Sequence, residues 1–235
     1  MNENIKVFSG LSIKSTILLL IIPLLSAIIL FGSATLIMLN FPELKKYAVT
    51  IISLVLFIQA LLWLFFVNFA KNKNNLTWKD LGFKTINSRQ FHLLWQIPLM
   101  FFCLIISQVI IFNLFGGENI VKNDASGVAW LQKNGGLFIG IILFISASFL
   151  IPLFEEILFR GFLYNKLKEI RGIYIAAFIS ALAFMLFHVA PFLFLYMFVL
   201  GLYLAWLFEF HKNIWAPIIA HMTLNTTVTL IIILR

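Results

Sequence analysis

The chain has 235 residues, of which 62% are hydrophobic and 11% are charged, and its mean hydropathy is +1.04. Soluble domains are about 45–50% apolar and about 25% charged, so this composition excludes a soluble enzyme, a disordered chain and a secreted disulfide scaffold. The net charge of +8 does not indicate nucleic-acid binding. The basic residues stand singly between apolar blocks, as Lys and Arg do on the cytoplasmic side of a membrane.

Seven apolar segments are predicted to cross the bilayer, since a span requires about 20 mostly apolar residues. In chain order they are Ser15–Leu39, Tyr47–Ala70, Phe91–Phe115, Leu137–Leu153, Ile173–Val189, Pro191–Phe210 and Ile214–Leu234. The expected fold class is therefore all-α, a polytopic transmembrane helical bundle. We expect residues 1–136 to form N-terminal transmembrane helices and loops. Residues 137–235 are expected to form a core of four helices within the same membrane-embedded unit.

The connecting segments predict the orientation of the chain in the membrane. Most of their Lys and Arg residues would be cytoplasmic if the N-terminus were, which favours a cell-membrane protein with a cytoplasmic N-terminus. The connection 71–90 contains Trp78 and Lys79, which are typical of an interfacial anchor. His92 and His211, at the ends of spans, are interpreted as interfacial, and the connection 116–136 is typical of a flexible connector.

Three ionisable residues, Glu155, Glu156 and Arg160, interrupt an otherwise apolar helix. Each would cost about 2.5–3.5 kcal/mol at the centre of a bilayer, so something must offset the cost. Glu156 and Arg160 are four residues apart with the acid first, which favours an ion pair. Glu155 lies about 100° further round the helix and is expected to serve a different contact. A purely structural ion pair remains the alternative interpretation of Glu156 and Arg160.

Two later apolar helices carry polar residues at the same spacing of four. Phe184 precedes His188, and His221 precedes Asn225. Because bundles bury polar faces inward, we expect His188, His221 and Asn225 to converge with Glu155 on one internal cavity. The alternatives are an interfacial His188, packing by Phe184, and a simple interhelical hydrogen-bond pair of His221 with Asn225.

The depths of these residues present a difficulty for straight helices. If the helices start in one plane, His188 would lie roughly 10 Å deeper than Glu155 and His221. We therefore expect a tilted helix, or a helix that begins in the cytoplasm before it enters the membrane. Pro152 is a candidate for a bend in the helix that carries Glu155.

The three motifs EExxxR, FxxxH and HxxxN, in this order, resemble the CAAX-protease and bacteriocin-processing (CPBP, or Abi) family. The resemblance extends from about Leu137 to the C-terminus. It implies an intramembrane endopeptidase in which Glu155 is the general base and Glu156 and Arg160 hold the site. It also implies that His188 activates or orients water, and that His221 and Asn225 stabilise the oxyanion.

The expected reaction is hydrolysis of a peptide bond by a water molecule that Glu155 activates, with no cofactor. A zinc ion held by Glu155, His188 and His221 is the alternative, because two histidines, a glutamate and a water form a catalytic zinc set. The expected substrates are membrane-associated peptides or proteins, prenylated or not, and the expected surroundings are the lipid bilayer. Two other functions stay open: a non-catalytic immunity or adaptor protein, and an ion-coupled transporter.

Overall fold

The computed structural model describes residues 7–115, 136–188 and 193–234, and the regular structure of these residues is helical. We number the seven helices of these residues in chain order. They are α1 (Ile13–Asn40), α2 (Ala48–Lys73), α3 (Leu93–Phe115), α4 (Gly136–Arg171), α5 (Ile173–Phe187), α6 (Phe194–His211) and α7 (Trp215–Leu234). Short 3₁₀ turns, Pro42–Tyr47 and Ser88–His92, lead into α2 and α3.

The helices agree with the predicted spans. Five helical segments of the described residues are long and apolar enough to cross a membrane, namely Ile13–Asn40, Pro42–Lys73, Ser88–Asn113, Gly136–Arg171 and Phe194–His211. α5 is apolar but has 15 residues, and α7 has 20 residues. The predicted all-α polytopic bundle is confirmed, and the chain is a multi-pass membrane protein. The predicted flexible connection 116–136 lies outside the described residues except for Gly136, as do the span ends Val189 and Pro191.

The first three helices present large apolar side chains on the outside of the bundle. Ile29 is 66% exposed, Phe65 71% and Leu94 79%, as expected for helices that face fatty-acyl chains. Between α1 and α2 the hydroxyl of Ser26 accepts hydrogen bonds from Gln59 (Nε2 to Oγ, 2.8 Å) and Trp63 (Nε1 to Oγ, 3.0 Å). Neutral hydrogen bonds of this kind hold membrane helices together.

α4 and α5 form a helical hairpin. This hairpin removes the difference in membrane depth that straight helices would impose between His188 and Glu155. α4 has 36 residues, about 54 Å at 1.5 Å per residue, whereas the apolar core of a bilayer is about 30 Å thick. It ends at Gly172, whose φ of 82° breaks the helix, and α5 begins at the next residue. Glu155 lies about 24 Å before this turn and His188 about 23 Å after it. The two side chains are therefore level, because both helices run to the turn at Gly172.

The backbone of α4 is irregular where it carries the charged residues. It contains two π-helical stretches, Ser146–Leu150 and Ile157–Tyr164, and every residue from 154 to 164 is buried. π-helical turns inside α-helices occur frequently at functional sites, because they re-aim side chains without ending the helix.

α5 and α6 pack closely at Gly201. A Cβ atom placed on Gly201 would lie 2.9 Å from the Cα of Ala181 and 3.0 Å from its Cβ. Small residues of this kind let membrane helices approach each other closely.

The connection between α2 and α3 is docked against the bundle. Leu81 is fully buried, and a Cβ atom placed on Gly161 of α4 would lie 3.4 Å from the Leu81 Cβ. Gly82, with φ 99°, accepts a hydrogen bond from the backbone N–H of Ile214 at 2.9 Å. Trp78 is 40% exposed, with the ammonium of Lys71 5.1 Å from its ring centroid.

The chain before α1 is also attached to the bundle. The ammonium of Lys166 donates to the Phe8 carbonyl at 2.8 Å, and the N–H of Phe8 donates to the Glu169 carboxylate at 2.8 Å. Phe8 and Leu11 are buried. The entrance of α1 is thus fixed to the end of α4.

His211 lies at the end of α6, as predicted, but it is buried rather than exposed at an interface. Its Nε2 lies 2.7 Å from Oε1 of the buried Gln96. The hydroxyl of Tyr203 donates to the Gln96 carbonyl at 2.7 Å. These bonds join α3 to α6, so His211 has a structural contact that its position near a span end did not indicate.

Candidate active site

Glu155, Glu156 and Arg160 of α4 lie inside the bundle, and Glu156 forms an ion pair with Arg160. The Nη1 of Arg160 donates to Oε1 of Glu156 at 2.8 Å, and both side chains are fully buried. The Nη2 of Arg160 donates to the Gly201 carbonyl at 2.9 Å, and the guanidinium lies 4.8 Å from the ring centroid of Phe184. The predicted pairing of Glu156 with Arg160 is confirmed, and it is supported by α5 and α6.

His221 of α7 contacts both glutamates through opposite edges of its imidazole ring. Its Nδ1 lies 2.9 Å from Oε1 of Glu156, and its Nε2 lies 3.7 Å from Oε2 of Glu155. The Glu156 carboxylate already accepts from Arg160, so it acts as an acceptor and the His221 Nδ1 carries the hydrogen. Glu155 and Glu156 point in directions about 100° apart around α4. They nevertheless share a partner, because the His221 ring contacts both carboxylates.

His188, the residue that follows α5, is the second histidine that lies close to the Glu155 carboxylate. Its Nε2 lies 3.8 Å from Oε1 of Glu155, and its Nδ1 lies 2.7 Å from the carbonyl oxygen of Phe184. A carbonyl can only accept a hydrogen bond, so the Nδ1 of His188 carries the hydrogen and the Nε2 of the neutral ring carries a lone pair. The backbone carbonyl of Phe184 therefore orients the histidine, and the Phe184 ring, whose centroid lies 4.6 Å from that of His188, packs against it.

Asn225 is half-buried on α7, one turn beyond His221, and contacts α4 through its amide. Its Nδ2 donates to the Ala147 carbonyl at 3.0 Å. In the π-helical stretch the N–H of Ile151 bonds to the Ser146 carbonyl, and the next N–H in that pattern would belong to Pro152, which has none. Asn225 therefore satisfies a carbonyl that the helix itself leaves unpaired. The oxyanion role expected of Asn225 stays a prediction.

The Nε2 atoms of His188 and His221 each approach one oxygen of the Glu155 carboxylate, and all three groups carry lone pairs. Each nitrogen is 3.7–3.8 Å from a carboxylate oxygen, too far for a direct hydrogen bond and close enough for a shared water. A water molecule has two hydrogens for these three acceptors. The arrangement therefore attracts a further proton or a cation.

The same residues have the donor chemistry of a catalytic zinc site. Each histidine is held through Nδ1 by an oxygen acceptor, as zinc-bound histidines are. Ligand atoms around tetrahedral zinc lie about 3.3 Å apart, from bond lengths of about 2.0–2.1 Å, so these separations are a few tenths of an ångström wider. Within the described part of the chain, no group of three or more His, Cys, Asp or Glu residues is close enough to hold a metal ion.

Sequence reasoning missed the contribution of Gly201 and treated Phe184 as packing. Gly201 accepts from Arg160 and admits the close contact with α5. Phe184 is fully buried, and its ring centroid lies 4.6 Å from that of His188 and 5.7 Å from that of His221. A glycine within an apolar helix was the available signal for Gly201.

Comparison with known proteins identifies the region that contains this site. Residues 137–227 match the family described as "Type II CAAX prenyl endopeptidase Rce1-like". Over 90 residues the chain is 34% identical to the Bacillus subtilis (strain 168) protein named "Putative membrane peptidase YdiL". That alignment covers 38% of this chain and 36% of the relative, and no solved structure matches. The resemblance to the CAAX-protease and bacteriocin-processing family is therefore confirmed over residues 137–227.

Proposed function

We propose that this protein is an intramembrane endopeptidase in which Glu155 activates a water molecule. One observation carries the proposal: the Glu155 carboxylate faces the Nε2 atoms of His188 and His221 at 3.8 and 3.7 Å, inside the bundle. A water molecule that bridges these groups is held with its oxygen available for attack on a carbonyl carbon. The family match over residues 137–227 supports the same class of reaction.

In the proposed reaction, the water oxygen attacks the peptide carbonyl while Glu155 accepts one of its protons. The carbonyl π electrons move to oxygen and form a tetrahedral oxyanion. Glu155 then returns the proton to the departing amine as the C–N bond breaks, and the products are a carboxylic acid and an amine. Since the nucleophile is water, no acyl-enzyme is formed.

The oxyanion requires hydrogen-bond donors, for which His221 and Asn225 are the candidates. Because the His221 Nδ1 hydrogen is directed to Glu156, the Nε2 donates to the oxyanion only when the ring carries both protons. Asn225 retains a second amide hydrogen beside the one it gives to Ala147. In this proposal Glu156 and Arg160 are positioning residues, because they orient His221 and hold α4 to α6.

If the enzyme uses a metal, Glu155, His188 and His221 would be its ligands, and the ion would supply Lewis-acid activation of the water. The water-only reaction and the zinc-assisted reaction differ in their response to chelation. We expect activity to persist after treatment with EDTA or 1,10-phenanthroline. A loss of activity that added zinc restores would show that the metal-assisted alternative is correct.

The test is cleavage of membrane-associated peptides by the purified protein reconstituted in liposomes, with products identified by mass spectrometry. We expect Glu155→Gln to lower the cleavage rate by about 10²–10⁴-fold, the usual contribution of a general base. Glu43→Gln changes an exposed glutamate outside the site and should cut at the wild-type rate. Equal rates for Glu155→Gln and the wild type would refute the mechanism.

The two rival functions predict different outcomes in the same liposomes. A non-catalytic immunity or adaptor protein would cut nothing, and its biological effect would survive Glu155→Gln. An ion-coupled transporter would produce ion flux without any cleaved peptide. The proposed substrates are membrane-associated peptides or proteins cut near the cytoplasmic face, with the N-terminus of the chain on that side.

A further inference from the structure

A groove of about 720 Å³ lies between α3, α7 and the segment that leads into α3. Its wall is mostly apolar and includes Phe91, Leu94, Ile97, Pro98 and Ile219. Ile219 and His221 are about 200° apart around α7, so the groove lies on the side of α7 away from the candidate active site. Apart from Ile219, these residues also lie outside the matched family region.

The wall of the groove contains a buried hydrogen-bond donor without an acceptor. Gln90 lines the groove and is 8% exposed. Its Oε1 accepts the backbone N–H of Asn87 at 2.8 Å, which fixes the orientation of the amide. Among the described residues, its Nε2 has no hydrogen-bond partner. An unpaired buried amide is costly, so an oxygen acceptor in the groove would be stabilised there.

Two basic residues, Lys84 and Arg89, lie in the chain within two positions of residues that line the groove. Arg89 is next to Gln90, and its guanidinium lies 5.1 Å from the ring centroid of Phe210. The backbone of Lys84 is held by the side chain of Asn213, whose Nδ2 donates to the Lys84 carbonyl at 3.2 Å. This bond brings Lys84 close to Lys212, the neighbour of Asn213 in the chain. Lys84 and Arg89 are both exposed.

Negative charge near these cations is scarce. We call Lys84, Arg89, Lys168 and Lys212 the basic cluster. Within the described residues, its ion pairs involve one carboxylate, that of Glu209, which pairs with Lys168 at 2.7 Å and with Lys212. Partial burial and the neighbouring charges of Lys168 and Arg89 lower the pKa of the Lys212 ammonium to about 8. The cluster therefore carries excess positive charge, as expected of a surface that binds anions.

We propose that this groove binds an anionic phospholipid, with an acyl chain along its apolar wall and the phosphate beside Lys84 and Arg89. The amide of Gln90 donates to a phosphate or ester oxygen. A lipid fits these observations because it combines an apolar chain, an oxygen acceptor and a negative charge at the depth where α3 begins. Anionic lipids are enriched in the cytoplasmic leaflet, on the side where the basic residues are predicted to lie.

The test is native mass spectrometry of the full chain in detergent, titrated with phosphatidylglycerol, phosphatidylcholine or glycerol 1-phosphate. We expect phosphatidylglycerol to bind about tenfold more tightly than phosphatidylcholine. Lys84→Gln/Arg89→Gln should weaken phosphatidylglycerol binding about 25-fold, at about fivefold for each cation. The matched control Lys14→Gln/Lys73→Gln removes the same charge from exposed residues near the ends of α1 and α2 and should leave the affinity unchanged.

A second variant tests the groove itself. Gln90→Glu keeps an oxygen for the Asn87 N–H and replaces the unpaired donor with an acceptor, so phosphatidylglycerol binding should fall at least fivefold. Equal affinities for the two phospholipids would overturn the proposal. So would equal losses in the test and control double variants, competition by glycerol 1-phosphate as strong as by the lipid, or a second copy of the chain bound in place of lipid.

Discussion

α1 and α4 are both long, apolar helices, yet they bury different kinds of side chain. α1 buries Thr16, Leu19, Pro23 and Ala34 and presents most of its large aliphatic side chains to the surroundings. α4 keeps every residue from 154 to 164 inside the bundle, including two glutamates and an arginine. Apolar composition therefore identifies a membrane span, whereas buried charges that need a compensating partner identify the helix that carries the candidate site.

The two helices are also attached to their neighbours by different forces. Ser26 of α1 accepts neutral hydrogen bonds from α2. Arg160 of α4 joins a carboxylate, a carbonyl and an aromatic ring from three helices. Substitutions that disturb the contacts of α4 should therefore be more destabilising than the substitution of Ser26 in α1.

The largest effect is expected from Arg160→Met. The variant leaves the carboxylate of Glu156 buried without its cation, which typically costs about 3–5 kcal/mol. We expect a markedly lower Tm of the purified protein in detergent. Arg171→Met makes the same change at the exposed end of α4 and should leave the Tm within about 1 °C of the wild type. Equal Tm values for the two variants would show that the buried pair is not structural.

Gly201→Ala is expected to cost about 1–3 kcal/mol, because the new methyl group would overlap Ala181 of α5. The substitution also displaces the carbonyl that Arg160 uses. Gly32→Ala in α1 has no atom within 4 Å of the new Cβ, so it should be neutral or stabilising by up to about 1 kcal/mol. Thermal unfolding of both variants measures the difference, and a stabilised Gly201→Ala would contradict the close packing.

Asn225→Ala should cost about 0.6–1.7 kcal/mol, since it leaves the Ala147 carbonyl unpaired. Pro152→Ala offers a test of the cause, because it introduces a backbone N–H near that carbonyl. In the Pro152→Ala background, Asn225→Ala should cost less than in the wild type, as a double-mutant cycle of unfolding free energies would measure. Additive costs would mean that Asn225 does not act through Ala147.

The smallest effect is expected in α1, from Ser26→Ala. The variant removes the acceptor for Gln59 and Trp63 and should cost about 0.6–1 kcal/mol. Ser33 lies two turns further along the same side of α1, where its exposed hydroxyl donates to the Leu30 carbonyl of its own helix, so Ser33→Ala should be close to neutral. Trp fluorescence during unfolding measures the difference in stability. A larger loss of stability from Ser33→Ala than from Ser26→Ala would show that Ser26 does not join α1 to α2.

Hydropathy and helical spacing predicted the parts of the fold that depend on local sequence. The seven apolar segments and the pairing of Glu156 with Arg160 follow from composition and from the position of residues on one helix. The convergence of His188, His221 and Glu155 was predicted from the cost of buried polar groups. Their distances depend on how α4, α5 and α7 pack, which spacing within one helix does not determine.

Other features required the three-dimensional structure because they arise between helices. The level position of Glu155 and His188 depends on the length of the α4–α5 hairpin up to Gly172. The bond from Asn225 to Ala147 depends on a π-helical register that no residue type signals clearly, although Pro152 marks the place. The burial of His211 follows from contact with Gln96 of α3, which its position at a span end did not reveal.

The attachment of Phe8 to Lys166 and Glu169 has a consequence for biosynthesis. The bonded residues are 158 and 161 positions apart in the chain, so the ribosome produces the first helix long before its anchor. After α1 has inserted into the membrane, Phe8 therefore lacks these hydrogen bonds until α4 has been synthesised. Final assembly of α1 therefore belongs to a late stage of folding, after α4 has entered the membrane.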